Sequence, residues 1–266
     1  DILRNMRAGD PEGNGWTFLQ KQQKNTLPKG FNYKKRNVVI FCGTLDEYEG
    51  IEWGTNKIYS PDQTSGIERI LEAFETNSDF FFYVRVHPNM ADLPRSTSQL
   101  SDIQEINLRF KNAFVIWPEE KIDSYALIEA CEKVLTFGST IGVEATFWGK
   151  PSILADHSLY ENFNYAYRAK NHQQILNLLE CTLKPKPIIT AIYAIYEITF
   201  GDSKPFKTYK ERLRVNSQSV GSFDGVNIKP RFIPRALAKF SKISEKIWQM
   251  IQKPSLLMKR LHVLLR

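Results

Sequence analysis

The sequence predicts an α/β fold in which a parallel sheet is flanked by helices. Three observations predict it. Short apolar runs rich in β-branched and aromatic residues recur at intervals of roughly 20–40 residues. Segments of helical periodicity stand between them, so each strand has room for a crossover helix before the next. The chain has 266 residues, 42% hydrophobic, 12% aromatic and 24% charged, which suits one large folded domain or one and a half ordinary ones and excludes a disordered, collagen-like or coiled-coil chain.

Residues 1–37 mix Gly, Pro, Asn, Gln and Lys and read as an irregular lead-in with a short helical piece at Trp16–Gln23. Val38–Cys42 is a continuous apolar run, the pattern of a strand buried on both faces. Gln63–Thr76 places Ile67, Ile70, Leu71 and Phe74 on one helical face. A strand is predicted at Phe80–Val86, a helix at Ser98–Lys111 and a strand at Ala113–Trp117. The alternation continues with helix Ser124–Cys131, strand Lys133–Phe137, helix Ile141–Trp148 and strand Pro151–Ala155. Beyond Tyr160 the pattern changes: helix His172–Leu183 ends at Pro185, and Ile188–Phe200 reads as a helix because thirteen residues is long for a strand. Pro205–Val215 reads as a helix and Asn216–Lys229 as a polar connector. Pro234–Gln252 carries an apolar stripe beside a basic one.

Charge is unevenly placed. The net charge is +7, yet residues 229–266 hold ten Lys/Arg against Glu245 alone, leaving the first 228 residues at −2. A nucleic-acid footprint spread over the fold is therefore not supported. The tail is too short and too charged to cross a bilayer; Pro234–Gln252 reads as a helix packed back on the body, and Pro254–Arg266 as a segment lying on an anionic membrane surface. Cys42, Cys131 and Cys181 are odd in number and set among apolar neighbours, which predicts buried thiols in a reducing compartment. The first residue is Asp and no signal peptide follows, as in a fragment or a processed end.

In an open parallel sheet, ligands bind beyond the carboxyl ends of the strands, so the residues following each strand are the site candidates. After the first strand, Gly43 permits close backbone approach, and Asp46, Glu47 and Glu49 follow, either as a general base or hydroxyl acceptor or as a solvated acidic loop. His87 ends the second strand, and Pro88 holds it extended; an imidazole there can donate to a phosphate oxygen or, charged, neutralise a leaving phosphate. After the fourth strand Gly138 lets the chain turn, Ser139 or Thr140 caps the next helix, and the first-turn N–H groups form an anion site. Glu144 sits one turn in, four residues after Thr140, where a capping box wants three; that favours a ligand role, such as accepting from ribose hydroxyls. Gly149-Lys150-Pro151 reads as a turn. There is no Walker A loop, Gly-x-Gly-x-x-Gly, His-Glu-x-x-His, paired cysteines at metal spacing or Asp-x-Asp, so metal-independent chemistry is expected.

His87-Pro88 after one strand, Ser139-Thr140-x-x-x-Glu144-Ala145 after a later one, and Gly149-Lys150-Pro151 resemble, in order and strand placement, the bacterial capsule polysaccharide biosynthesis glycosyltransferases, which include Kdo and sialic-acid polymer transferases. Asp46-Glu47 is similar as well. The resemblance spans roughly residues 37–160. It implies the Rossmann-like, carboxyl-terminal donor lobe of a glycosyltransferase-B fold at 38–200. Residues 1–37 would then be a linker or the remnant of an amino-terminal lobe, 201–232 a connector, and 233–266 a basic amphipathic helical tail. His87, with Asp46 and Glu47, would be catalytic; Gly43, His87, Pro88, Gly138, Ser139, Thr140 and Glu144 would hold the nucleotide. Tyr48-Glu49-Gly50 departs from the acid-acid-Gly motif of sialic-acid polymer transferases, so no general-base role passes to Glu49. The implied substrate is a nucleotide sugar, by analogy CMP-linked, with a glycan or glycolipid acceptor and neither cofactor nor metal. The implied location is the cytoplasm, at the inner face of the plasma membrane. The alternatives are a polyol-phosphate transferase of the teichoic-acid type, with CDP-glycerol as donor, or a non-catalytic nucleotide-binding lobe.

Overall fold

The computed structural model describes residues 3–4, 7, 23–44, 58–59, 62–95, 97–158, 160–200, 209–215, 218–223 and 226–228. Six strands form one parallel sheet in the order β3-β2-β1-β4-β5-β6. They are β1 (Arg36–Phe41), β2 (Phe80–Arg85), β3 (Ala113–Ile116), β4 (Lys133–Thr136), β5 (Ser152–Leu154) and β6 (Tyr167–Arg168). The helices are α1 (Gln63–Ala73), α2 (Ser98–Arg109), α3 (Ser124–Ala130), α4 (Ile141–Phe147), α5 (His172–Glu180) and α6 (Ile188–Phe200). This is the α/β, Rossmann-like arrangement expected. The central pair β1 and β4 runs Val38 beside Lys133 to Phe41 beside Thr136.

Alternation along β1 divides the core. Val38 and Ile40 face α1, α2 and α5 through Ile67, Ile70, Ile103 and Ile175, while Val39 and Phe41 face α3 through Leu127 and Ile128. Both faces are covered, which is why the strand reads as an unbroken apolar run. Three helices start on side-chain caps: Asp62 accepts from the N–H groups of Thr64 and Ser65, Asp123 from Tyr125, and Asn171 from Gln174. Gly66 lets α1 approach the sheet end closely. A Cβ there would lie 2.6 and 2.7 Å from the Tyr59 ring and 2.9 Å from Phe137. We expect Gly66→Ala to cost about 2–3 kcal/mol in thermal or denaturant unfolding, because neither buried ring has room to withdraw.

The far, amino-terminal end of the sheet carries a buried charge. Lys133 Nζ donates to Glu132 Oε1 at 2.7 Å and to the Leu179 carbonyl at 2.6 Å, and Arg36 clasps the same carboxylate with two nitrogens. These hydrogen bonds hold Glu132 well below the usual carboxylate range, at about 2. This network ties β1, β4 and α5 together away from the strand ends that bear the candidate site.

Three expectations are corrected. Cys42 and Cys131 are buried and free, but Cys181 is exposed, at the carboxyl-terminal cap of α5. Residues 209–215, read as helical, form β7 (Tyr209–Val215) in an antiparallel sheet with β8 (Gln218–Phe223) and β9 (Val226–Ile228). The presumed connector at 216–229 thus supplies two strands. Val215 pairs with Gln218, so the hydrogen bonds that make 209–215 a strand come from residues further along the chain. This sheet belongs to a second compact unit, Thr199–Arg266. Residues 16–22 of the predicted helix at Trp16–Gln23 and the basic tail at 233–266 lie outside the described residues, and Gln23 itself is not helical. Among the described residues no helix is long and apolar enough to cross a membrane.

Candidate functional site

The strand order changes direction between β1 and β4, and the crevice outside their carboxyl ends is where such sheets take ligands. A narrow cleft with about 40 Å³ of enclosed space opens there. His87, Pro88, Ser139, Thr140 and Glu144 line it, joined by Arg85, Cys42 and Ser124. Fifty-two residues separate His87 from Ser139 in sequence, and adjacency of β2, β1 and β4 brings them together. A larger groove between α1 and α2 holds none of the candidates. Two of its carboxylates have partners: Asp62 caps α1, and Glu68 pairs with Arg109.

His87 is half-buried and caps the 3₁₀ turn Pro88–Asp92, its Nδ1 accepting from the Asn89 N–H at 3.2 Å. With Nδ1 an acceptor, the neutral ring carries its proton on Nε2 and acts as a hydrogen-bond donor there. The cation of the cleft is instead Arg85, the last residue of β2 and only 2% exposed. Its guanidinium donates to the Trp117 carbonyl at 2.8 Å and the Glu120 carbonyl at 3.2 Å. Its Nε is buried without a partner, and no carboxylate among the described residues forms an ion pair with it. Burial lowers its pKa to about 10, with Glu120 and Glu119 pulling the other way, so it stays charged at neutral pH.

Glu144 is 3% exposed and accepts a hydrogen bond from the Tyr125 hydroxyl at 2.5 Å. Burial raises its carboxyl to about 7, against the opposing pull of Tyr125. Arg85 and Glu144 line the same cleft without pairing, which gives it a cationic and a carboxyl end.

The loop after β4 departs from the expected capping. Thr140 precedes α4 but makes no side-chain cap, and Ser139 Oγ lies at 3.5 Å from the Ile141 nitrogen, too far for a firm bond. The N–H groups of Gly142 and Val143 already donate to the carbonyls of Ser139 and Thr140. Helix α4 spans only seven residues, and the anion site expected at its first turn is largely closed. The hydroxyls of Ser139 and Thr140, released from capping, remain on the cleft wall. Gly138 makes the turn at φ 114°, a conformation that favours glycine, and its carbonyl accepts from the Tyr160 hydroxyl at 2.9 Å.

Gly43 does not line the cleft. Its N–H donates to Gln63 Oε1 at 3.0 Å, and its carbonyl accepts from the side-chain amides of Gln63 and Gln99, each at 2.8 Å. A phosphate cannot use that N–H; the glycine docks the end of β1 onto α1 and α2. Asp46 and Glu47 lie outside the described residues. Arg85 was legible only as a charge ending the apolar strand Phe80–Arg85, and Tyr125, nineteen residues before its partner, left no signal.

No family model and no curated protein matches the chain. Among solved structures it is similar to Thermosulfurimonas dismutans KpsC, a beta Kdo 2,4 transferase, at 17% identity and a TM-score of 0.40, over 73% of this chain and 52% of that one. It is similar to UDP-GlcNAc 2-epimerase from Neisseria meningitidis bound to UDP-GlcNAc, at 17% identity and a TM-score of 0.43, over 75% and 53%. A third is the wall teichoic acid polymerase TagF, at 14% identity and a TM-score of 0.33, over 75% and 45%. The chain spans about half the length of these proteins.

Proposed function

We propose that the cleft binds the phosphate and ribose of a nucleotide-activated sugar, and that the domain is the donor lobe of a glycosyltransferase in bacterial surface-polysaccharide assembly. The observation that carries this reading is Arg85: a buried cation with no acidic partner among the described residues and one N–H unused. Such a group is costly unless an anion joins it, and the cleft is where an anion can enter. Arg85 supplies the charge, while His87 Nε2–H and the hydroxyls of Ser139 and Thr140 supply directed donors. At the other end Glu144 accepts from the ribose hydroxyls.

In the transfer step these donors stabilise charge growing on the leaving phosphate as the bond from sugar to phosphate breaks. The protein thus lowers the barrier by electrostatics without a metal ion. Asp46 and Glu47 are proposed to act at the same step from the loop after β1. The donor is proposed to be CMP-linked, the acceptor a glycan or glycolipid, and the place of action the cytoplasmic face of the membrane.

Calorimetric titration against CMP, CDP, UDP, GDP and ADP without added metal tests the reading. Saturable binding of CMP is expected, stabilising the fold by about 2.7 kcal/mol at a hundredfold excess over Kd. His87→Ala should weaken it about tenfold. Preference for CDP would move the substrate to a polyol phosphate donor, UDP or GDP would replace the proposed base, and silence from folded protein would overturn the nucleotide site.

A further inference from the structure

Among the described residues Glu144 is the one carboxylate on the cleft wall, and it forms no ion pair. Its carboxyl has a single hydrogen-bond donor there, the Tyr125 hydroxyl. A buried carboxylate so sparsely served is costly to ionise, whereas the neutral acid meets the same hydroxyl with no charge to desolvate. Tyr125 is held in place from several sides. Asp123 accepts from its N–H at 2.8 Å, and its ring meets that of Trp148 edge-on, with centroids 6.3 Å apart. The Arg7 guanidinium lies 4.6 Å from the Trp148 ring centre and 5.5 Å from that of Tyr125, and it pairs with Glu129 on α3. A cation beside the ring favours proton donation by the hydroxyl, while burial and Glu144 keep the phenol from ionising.

The other charged or titratable groups facing the pair are Asp123 at the start of α3, and Arg85, His87 and Cys42 on the cleft wall. Burial pushes the Cys42 thiol up to about 12, and Arg85 stays charged, so neither changes state near neutrality. The nucleotide reading of the cleft, on which this inference rests, brings ribose hydroxyls to Glu144. Added donors favour the ionised carboxylate, which the empty cleft disfavours. We propose that Tyr125 positions the Glu144 carboxyl to release its proton to water as the nucleotide binds, so that affinity rises with pH. Burial lifts this carboxyl to about 7 in the empty cleft, which places the change near neutrality. By linkage, binding that favours the ionised form draws off a proton, and a fall in pH must weaken that binding. Tyr125 is not on the cleft wall; it is a positioning residue and acts through Glu144.

Calorimetry of the full chain with the methyl phosphodiester of CMP, and with those of UMP and GMP beside it, tests this from pH 5.5 to 8.5. A diester is used because a phosphate monoester itself titrates at about pH 6. Kd should tighten about tenfold between pH 5.5 and 8, with proton release near pH 6.5 read from buffers of different ionisation enthalpy. An imidazole ordinarily titrates in the same range, so Glu144→Gln, which retains His87, is the control: it should bind at the parent's low-pH affinity throughout. Tyr125→Phe, with its fold checked by circular dichroism, should move the rise in affinity up by about one pH unit and leave affinity at pH 5.5 unchanged. Arg7→Met should move it the same way by less. A parent affinity that is flat across pH would overturn the proposal. So would a Tyr125→Phe loss of equal size at every pH, the mark of a merely structural residue. No binding of any diester at any pH would overturn the nucleotide reading itself, and this inference with it.

Discussion

Arg85→Met is expected to weaken nucleotide binding about a hundredfold while leaving a folded protein. The guanidinium is nearly inaccessible, charged at neutral pH despite burial, and held by two carbonyls with Nε left over. A phosphate meeting it in a water-poor cleft gains a charge-assisted hydrogen bond, and losing such a bond costs about 2–3 kcal/mol, or roughly two decades in Kd. The apo fold changes less. The carbonyls of Trp117 and Glu120 lose donors, but a desolvated charge without a counter-ion disappears as well, and the two effects oppose each other. Arg85→Lys keeps a charge but lacks the fork that reaches both carbonyls and a ligand, so a loss of about tenfold is expected. Calorimetry on both variants decides the matter: an unchanged Kd in either, with the fold intact, would remove Arg85 from the site.

Glu144→Gln should raise stability at alkaline pH and lower donor affinity. Complete burial lifts the carboxyl from 4.5 to about 7, so the folded state keeps a proton that the unfolded state gives up. The stability this group contributes is therefore fully present below pH 4.5, falls as pH rises through the window, and is gone above about 7. Across that window the loss is on the order of 3 kcal/mol. Glutamine keeps the shape and still accepts from Tyr125, but it cannot ionise. The variant should match the parent near pH 4.5 and exceed it by about 2–3 kcal/mol at pH 8, measured by denaturant unfolding across pH. His172, whose pKa is lowered by burial, and Glu132 push in the opposite direction as pH falls, but both are common to the two proteins and cancel in the comparison. The ionised carboxylate that destabilises the apo fold is the form that accepts ribose hydroxyls, so affinity should fall about tenfold as stability rises. Identical pH profiles would mean that Glu144 ionises in the folded protein as it does in the unfolded chain, and that burial does not raise its pKa.

His87 and Ser139 were legible as candidates because each follows an apolar run, and strand ends are where an open sheet exposes polar groups. Gly43 stood in the same position and is nevertheless committed to Gln63 and Gln99, a fact that required α1 and α2 to be packed. Thr140 has the chemistry of a helix cap but sits in helical backbone, at φ −56° and ψ −24°, and makes none.

The sequence by itself determined the class of fold, the positions of β1 to β5 and of helices α1 to α6, and the concentration of positive charge in the last 38 residues, but not the edge strand β6. Those features depend on composition and on neighbours a few positions away, where periodicity and propensity act. Only the tertiary structure decided that the cation of the cleft is Arg85, that Glu144 is shielded by Tyr125, that 209–228 pair as strands, and that α6 turns an apolar face outward. The reason is physical: burial, strand pairing and the absence of a counter-ion are relations between residues far apart in the chain, and no local pattern encodes them.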